Sequence, residues 1–163
     1  MPELTADRAR EILSYDPSSG VLMWRLSRGG KPQGSPAGCV DTRGCLRTRV
    51  DRKLYLNHRL IWLLVNGSWP SRDIDHLNGD PADNRLENMR DVSNKTNHEN
   101  KRRPNANNSS GCLGVYWAQN ANKYRARIVV SGKSIHVGYF ESREAAYIAY
   151  INAKRQLHAG CTI

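Results

Sequence analysis

Asp75 and His76 stand side by side, and beyond them a short stretch holds Asn94, Asn97, His98 and Asn100. An imidazole that titrates near neutral pH can take a proton from water. Carboxylate and amide oxygens are hard donors. They suit a cation such as Mg²⁺, which keeps several of its waters and accepts a phosphate oxygen as a further ligand. Neighbouring residues on a strand point to opposite sides. If Ile74-Asp75-His76 ends a strand, one side chain can hold metal while the other faces water. The chemistry this suggests is phosphodiester hydrolysis, which needs an activated water, charge relief on a pentavalent transition state and help for the leaving oxygen. Taken alone, each residue also has an ordinary reading: His76 as a surface histidine, Asp75 as a turn-former.

The charge distribution bears on this choice. The chain has 163 residues, 25 Lys+Arg, 15 Asp+Glu and a formal charge of +10. Such an excess points to a polyanion, most simply nucleic acid. It is unevenly spread. Residues 1–57 carry ten basic and six acidic residues, residues 58–100 five and seven, and residues 101–163 ten and two. Two basic flanks therefore surround a mildly acidic centre, which suits a divalent cation held against phosphate; the plain alternative is solvated loop acids.

Other classes are excluded. The longest apolar run, Leu60 to Val65, is far too short for a bilayer, which needs about 20 residues. The first residues do not read as a secretory signal, so a cytoplasmic location is expected. Four cysteines, Cys39, Cys45, Cys112 and Cys161, lie far apart with no C-x-x-C pair, so neither a zinc site nor a disulfide framework is expected.

The elements that must position these residues can be read in order. Residues 4–15 suit a short helix capped by Thr5. Asp16 to Gly20 is a turn and residues 21–26 a strand. Residues 45–56 alternate as a hairpin turning at Asp51 to Lys53, with Leu46, Thr48 and Val50 on one face. Asn57 can cap a helix from His58 to Asn66, closed by Gly67. Strands are expected to end at His76 and to run from Leu86 to Val92. Ser93 caps a polar helix through Arg102, and residues 104–110 are a linker by composition. Three strands and a helix follow, the strands at residues 115–117, 124–130 and 135–140. Ser142 caps the helix, and Ala145, Ala149, Ala153 and Leu157 form one stripe.

The run His58-Arg59-Leu60-Ile61-Trp62, then Asp75-His76-Leu77-Asn78-Gly79, Asp83 to Arg90, and Ser93 to Asn100 resembles the HNH endonuclease family, more narrowly its phage and intron-homing members. The resemblance covers about residues 56–102. It implies a ββα-metal fold around one divalent cation, Mg²⁺ or Mn²⁺ rather than zinc. It implies His76 as general base, Asp75 and Asn97 as metal ligands, and Asn88 as the brace of the loop that carries the histidine. His98 is the alternative to Asn97, should the helix register differ by one. His58 is read as supporting the site, and Asp80, Asp83 and Asn84 as shaping the loop. Many HNH enzymes carry histidine where Asn97 stands; the asparagine variant belongs to the phage and intron group, whose product is often a nick.

Residues 111–160 resemble the APETALA-type (ethylene-response-factor) DNA-binding domain through Gly114-Val115, Lys123 to Ile128, His136 to Phe140 and Glu144-Ala145-Ala146. That fold is a three-stranded sheet backed by one helix. Strand alternation agrees: Tyr124, Ala126 and Ile128 share the helix side, and Lys123, Arg125, Arg127 and Val129 the other, joined by Tyr116 and His136. An outward face of this kind can enter a major groove.

The expected fold is α+β. It comprises an N-terminal DNA-contacting segment (1–55), a nuclease core (56–103), a linker (104–110) and a recognition domain (111–163). Candidate DNA contacts are Arg47, Arg49 and Lys53 in the first part, Lys101, Arg102 and Arg103 after the core, and Tyr116, Lys123, Arg125, Arg127 and His136 in the last. The leading expectation is a metal-dependent endonuclease acting as a monomer on double-stranded DNA, away from membranes. The competing ones are a DNA-binding regulator with a silent core, and a nuclease of RNA or of particular nucleic-acid structures.

Overall fold

The computed structural model describes residues 3–163 and is α+β, with four α-helices and four small antiparallel sheets among them. Two compact units divide the chain, Met1–Ser93 and Asn94–Ile163. Among the described residues no helix is long and apolar enough to cross a membrane.

The first unit opens with α1 (Ala6–Ile12), which the Thr5 side chain caps by accepting from the Arg8 N–H. The helix stops at Ile12, shorter than the sequence suggests. Leu13 is already extended and starts β1 (Leu13–Asp16), which pairs with β2 (Val21–Trp24) in a hairpin. Leu13 is buried in the core either way, so apolar spacing alone did not separate helix from strand here. A three-stranded sheet comes next, β3 (Cys39–Val40), β4 (Leu46–Val50) and β5 (Lys53–Leu56). The β4–β5 turn places Asp51 and Arg52 at φ 45° and 70°. This left-handed tip matches a hairpin's twist but strains residues that carry a Cβ. Arg8 and Arg28 both pair with Asp51 and hold the tip in place.

Helix α2 (Asn57–Asn66) starts directly after β5. Asn57 does not cap it. Its carbonyl accepts from Thr48 Oγ1 (2.7 Å) and its amide donates to the Ala37 carbonyl (2.8 Å), so a fully buried side chain is used to tie the sheet to the helix. Gly67 closes the helix in the left-handed conformation at φ 75°. The Arg10 guanidinium from α1 donates to the Leu64 carbonyl at that end (2.9 and 3.1 Å). One apolar core joins α1, the hairpin, β4, α2 and the last pair of strands, through Leu4, Ala9, Leu22, Val50, Leu60 and Met89 among others. The core runs unbroken across residue 55, so the N-terminal segment is structurally continuous with α2 and that last strand pair.

The pair consists of β6 (Asp73–His76) and β7 (Met89–Val92), antiparallel, with Asp75 opposite Arg90 and His76 opposite Met89. Leu86–Asn88 forms a 3-10 turn before β7, where an extended run to Val92 was expected.

The second unit begins with α3 (Asn94–Glu99), a short helix ending before Arg102. Strands β8 (Val115–Ala118), β9 (Lys123–Val130) and β10 (Lys133–Phe140) form a meander, backed by α4 (Arg143–Leu157). Ser142 caps α4 by accepting from the Ala145 N–H (3.1 Å). The buried stripe of α4 is Ala146, Tyr150 and Lys154, one position beyond the alanine stripe expected to face the sheet. Lys154 is buried by its methylenes, and its ammonium donates to the Lys101 carbonyl.

The hairpin's Gly20 has a specific job. It lies at φ +74°, and a Cβ there would meet the Arg85 nitrogen at 2.7 Å and the Asn84 carbonyl carbon at 2.9 Å. Neither backbone atom can step aside without moving the loop between β6 and β7. Gly20→Ala is expected to cost about 2 kcal/mol or more, from the left-handed φ and the contact together, read as a lower urea midpoint at unchanged m-value.

Candidate active site

Residues 77–88 leave β6 and return to β7 as a loop built almost wholly of polar contacts. Asn88 is central to it. Its carbonyl accepts from the Asn78 N–H (2.9 Å) and its amide donates to the Asp83 carbonyl (2.8 Å), spanning the loop's two arms. The Leu77 N–H donates to the Asn88 carbonyl (2.8 Å) and closes its neck. Asn78 and Asp80 each accept from backbone two residues on, in successive side-chain turns. Arg85 grips both oxygens of Asp83 (2.9 and 2.7 Å) and holds that carboxyl down to about 2. Asn78, Gly79, Asp80 and Ala82 in this loop are exposed, whereas Asn84 and Asn88 are buried.

The two candidate residues sit at its base. Asp75 and His76 are both buried, at 6% and 8% exposure. A buried carboxylate needs a counter-charge. Arg90, its partner across the strands, supplies one through Nε (2.9 Å) and Nη2 (2.8 Å), both directed at Oδ2. The His76 ring meets Asn84, whose Oδ1 lies 3.1 Å from Nε2. It also meets His58 of α2 edge-on, with ring centroids 5.3 Å apart. His58 is buried, and its Nδ1 has no hydrogen-bond partner among the described residues. Desolvation chiefly, with His76 and Arg59 adding repulsion, pushes its pKa down to about 4, so it is neutral at physiological pH.

Tyr15 of β1 fastens the loop from the other side. Its hydroxyl donates to the Asn84 carbonyl (3.2 Å) and accepts from the Leu86 N–H (3.1 Å). With Gly20 it makes the N-terminal hairpin a support for the loop. Neither Tyr15 nor Arg90 carries a sequence signal for this task. Asn84 is legible only as a loop residue, because its partner lies eight positions away across a turn that the sequence does not specify.

Asn97 and His98 both lie on α3 in the second unit. Among the described residues no three His, Cys, Asp or Glu side chains converge as a metal cage. Carboxylate and amide oxygens are hard donors, the type that divalent cations take.

The candidate nucleic-acid contacts divide into engaged and open ones. Arg47 is paired with Asp41 (2.7 Å), Arg102 donates to the Thr162 carbonyl (2.9 Å), and Lys123 is paired with Glu141 (2.7 Å). Lys101 donates to the Asn105 side chain. Arg49, Lys53 and Arg103 are exposed, with the Lys53 ammonium over the Tyr55 ring. In the second unit Tyr116 pairs with Arg125, Arg125 with Tyr139, and Arg127 with His136 across the strands, which sets these five on one outer face. The Arg127 guanidinium stacks over Tyr116 at 5.3 Å. Tyr139 reaches that face because the register shifts between His136 and Gly138, inserting Val137 as a bulge. The glycine within a strand run was the available sign of it.

Comparison with known proteins adds to this geometry. The family model described as HNH endonuclease matches residues 55–99. Protein 3.8 of Escherichia phage T7 is 32% identical over 104 residues, which cover 62% of this chain and 83% of that protein. No solved structure matches.

The buried neutral His58 gives a pH signature. Its unfolded pKa near 6.5 exceeds the folded value of about 4, so the unfolded chain binds the extra proton between them. This contribution is complete above about pH 6.5 and is lost as pH falls toward 4. From pH 7 to pH 4.5 the wild type should lose about 2 to 3 kcal/mol more stability than His58→Gln, compared by urea denaturation at both pH values.

Proposed function

We propose, for a chain that belongs to the family of phage T7 Protein 3.8 and carries an HNH endonuclease domain at residues 55–99, that it is a divalent-metal-dependent endonuclease cutting double-stranded DNA at preferred sequences. The observation that carries this reading is the pairing at the end of β6: a buried imidazole fixed by Asn84 next to a buried carboxylate, on a loop tied at both ends.

Within this reading His76 is the general base. It takes a proton from a water whose oxygen attacks phosphorus in line, and the bond to the 3′-oxygen breaks. The departing 3′-oxygen takes up a proton from solvent water, so the products are 5′-phosphate and 3′-hydroxyl ends. By the family resemblance Asp75 and Asn97 are the ligands of Mg²⁺ or Mn²⁺, which when bound relieves charge on the scissile phosphate and on the departing oxygen. Asn88 keeps the loop closed around the base, and neutral His58 packs against the ring of His76 without adding charge.

Residues 111–163 are the recognition domain in this reading, of the APETALA type. Support comes from the three-stranded sheet backed by α4, and from the outer face of Tyr116, Arg125, Arg127, His136 and Tyr139. Arg49, Lys53 and Arg103 add phosphate contacts. The unlike modules favour a monomer on an asymmetric site, and a single catalytic centre favours nicking one strand.

The Asp75–Arg90 ion pair favours one second reading, a DNA-binding protein whose core is silent because Arg90 has taken the metal's place. Both are tested on a pool of supercoiled plasmids with random inserts. The wild type should nick with Mg²⁺ and stop with EDTA. His76→Ala should nick about 10²- to 10⁴-fold more slowly at similar DNA affinity. Tight DNA binding with no nicking by the wild type, or equal nicking by His76→Ala, overturns the catalytic reading. Separately, Arg127→Ala should weaken DNA binding and reduce the slope of log affinity against log salt by about 1, measured by fluorescence anisotropy.

A further inference from the structure

Helix α3 is not stable by its own sequence. It has six residues, Asn-Lys-Thr-Asn-His-Glu, and none of them is apolar. An isolated helix shorter than about 12 residues is marginal in water, and an apolar stripe is the usual source of the missing stability. Polar contacts must supply much of what holds α3, and a group of them comes from the segment that follows α4. The Gly160 N–H donates to Glu99 Oε2 (3.0 Å). The Thr162 N–H (3.3 Å) and the Thr162 hydroxyl both donate to Asn100 Oδ1. Just beyond the helix, Arg102 Nη2 donates to the Thr162 carbonyl (2.9 Å), and Lys154 of α4 donates to the Lys101 carbonyl. Glu99 and Asn100 are both buried. A partner lost there leaves a desolvated polar group, which destabilises more than the same loss at the surface.

Gly160 also lies directly against α3. A Cβ there would press into the Thr96 carbonyl oxygen and stand 2.9 Å from Thr96 Cγ2, so only glycine fits against the helix backbone. The segment is fastened in turn to the sheet, where His158 Nε2 donates to the Val129 carbonyl of β9 (2.9 Å). Lys95 of α3 reaches Ser131 Oγ in the turn between β9 and β10 (3.3 Å). Helix α3 is therefore part of the same unit as the sheet, which begins at Asn94.

We infer that Gly160 and Thr162 are positioning residues, which clasp α3 to the unit that carries the sheet and so set the placement of Asn97. The inference rests on the proposed reading, in which Asn97 is a metal ligand and the sheet binds DNA. In that reading the unit that reads DNA also presents a donor for the metal, so a loosened clasp impairs cutting and leaves binding intact.

Hydrogen exchange of the full-length protein, followed by NMR without metal or DNA, tests the clasp and needs no activity. The Asn100 and Lys101 amides donate back to the Thr96 and His98 carbonyls (both 3.2 Å) and report on the end of α3. They should exchange about tenfold faster in Gly160→Ala and about fivefold faster in Thr162→Ala, while the amides of β9 keep their protection. Thr162→Ser keeps the hydroxyl and the N–H and should match the wild type. Unchanged exchange of these two amides in both alanine variants overturns the inference.

Nicking at saturating protein supplies the second readout. On the plasmid pool, Gly160→Ala should be about tenfold slower and need about fivefold more Mg²⁺ for half its maximal rate, with DNA Kd within about twofold of wild type. If His76→Ala nicks at the wild-type rate, the catalytic reading falls, and this inference with it. If His76→Ala is slow while Gly160→Ala keeps the wild-type rate and Mg²⁺ dependence, the clasp inference alone falls. Should Gly160→Ala lose the protection of β9 as well, Thr162→Ala decides: exchange or nicking at the wild-type rate in that variant overturns the inference.

Discussion

A carboxylate and an imidazole are buried next to each other at the end of one short strand, and much of the first unit is shaped by that constraint. Neither side chain is stable in an apolar setting alone. Because neighbours on a strand point to opposite sides, each needs its own partner on its own side. Asp75 takes Arg90 from the paired strand, and His76 takes Asn84 from the loop. A strand partner comes with the register, whereas a loop partner must be held by something else. That demand accounts for the density of contacts between residues 77 and 88, and for a hairpin from the far end of the sequence that delivers Tyr15 and Gly20 to the same loop.

The second unit solves a different problem. Its core is small, with Val115, Ala126, Ile128, Ala146 and Tyr150 at its centre. Gly114, at φ +74°, lies so close to the Tyr150 ring that any larger residue would collide with it. The aromatic ring fills what several aliphatic side chains would fill in a larger domain, and the methylenes of Lys154 extend the same stripe. With the interior supplied from one helix face, the opposite side of the sheet is left to Arg, Tyr and His. The bulge at Val137 enlarges that polar and aromatic surface by turning Tyr139 outward, at the cost of one unpaired residue.

Most elements were legible because their signals are local. Thr5 and Ser142 cap the helices that their positions announce, Gly67 ends α2, and alternation gives the faces of β9. Failures occurred where a residue's local preference lost to a distant partner. Asn57 looks like a cap and is instead spent on Thr48 and Ala37. Leu13 fits a helical stripe, yet the chain turns extended there to pair with Trp24. The stripe on α4 is displaced by one position because Tyr150 offers more apolar surface than the alanines beside it. For the candidate site, residue types and order single out Asp75, His76 and the loop. The contacts between His76 and Asn84, and between His58 and His76, depend on tertiary placement that no spacing rule supplies.

The His58–His76 contact shows how burial divides two residues of the same type. In the proposed reading, His76 gains a positive charge in a partly desolvated place when it takes a proton. Were His58 also charged, two unit charges about 5.3 Å apart would repel by about 3 kcal/mol at an effective dielectric of about 20. Burial of His58 under α2 removes this opposition, since its own charging is already costly near neutral pH. The orphaned Nδ1 of His58 is part of the same arrangement: a strong acceptor beside it would favour the imidazolium, and none stands there among the described residues. An apolar side chain at position 58 would also avoid repulsion. The imidazole differs in presenting a ring edge to the ring of its neighbour, a contact that fixes the plane of His76 from one side while Asn84 fixes its rotation from the other.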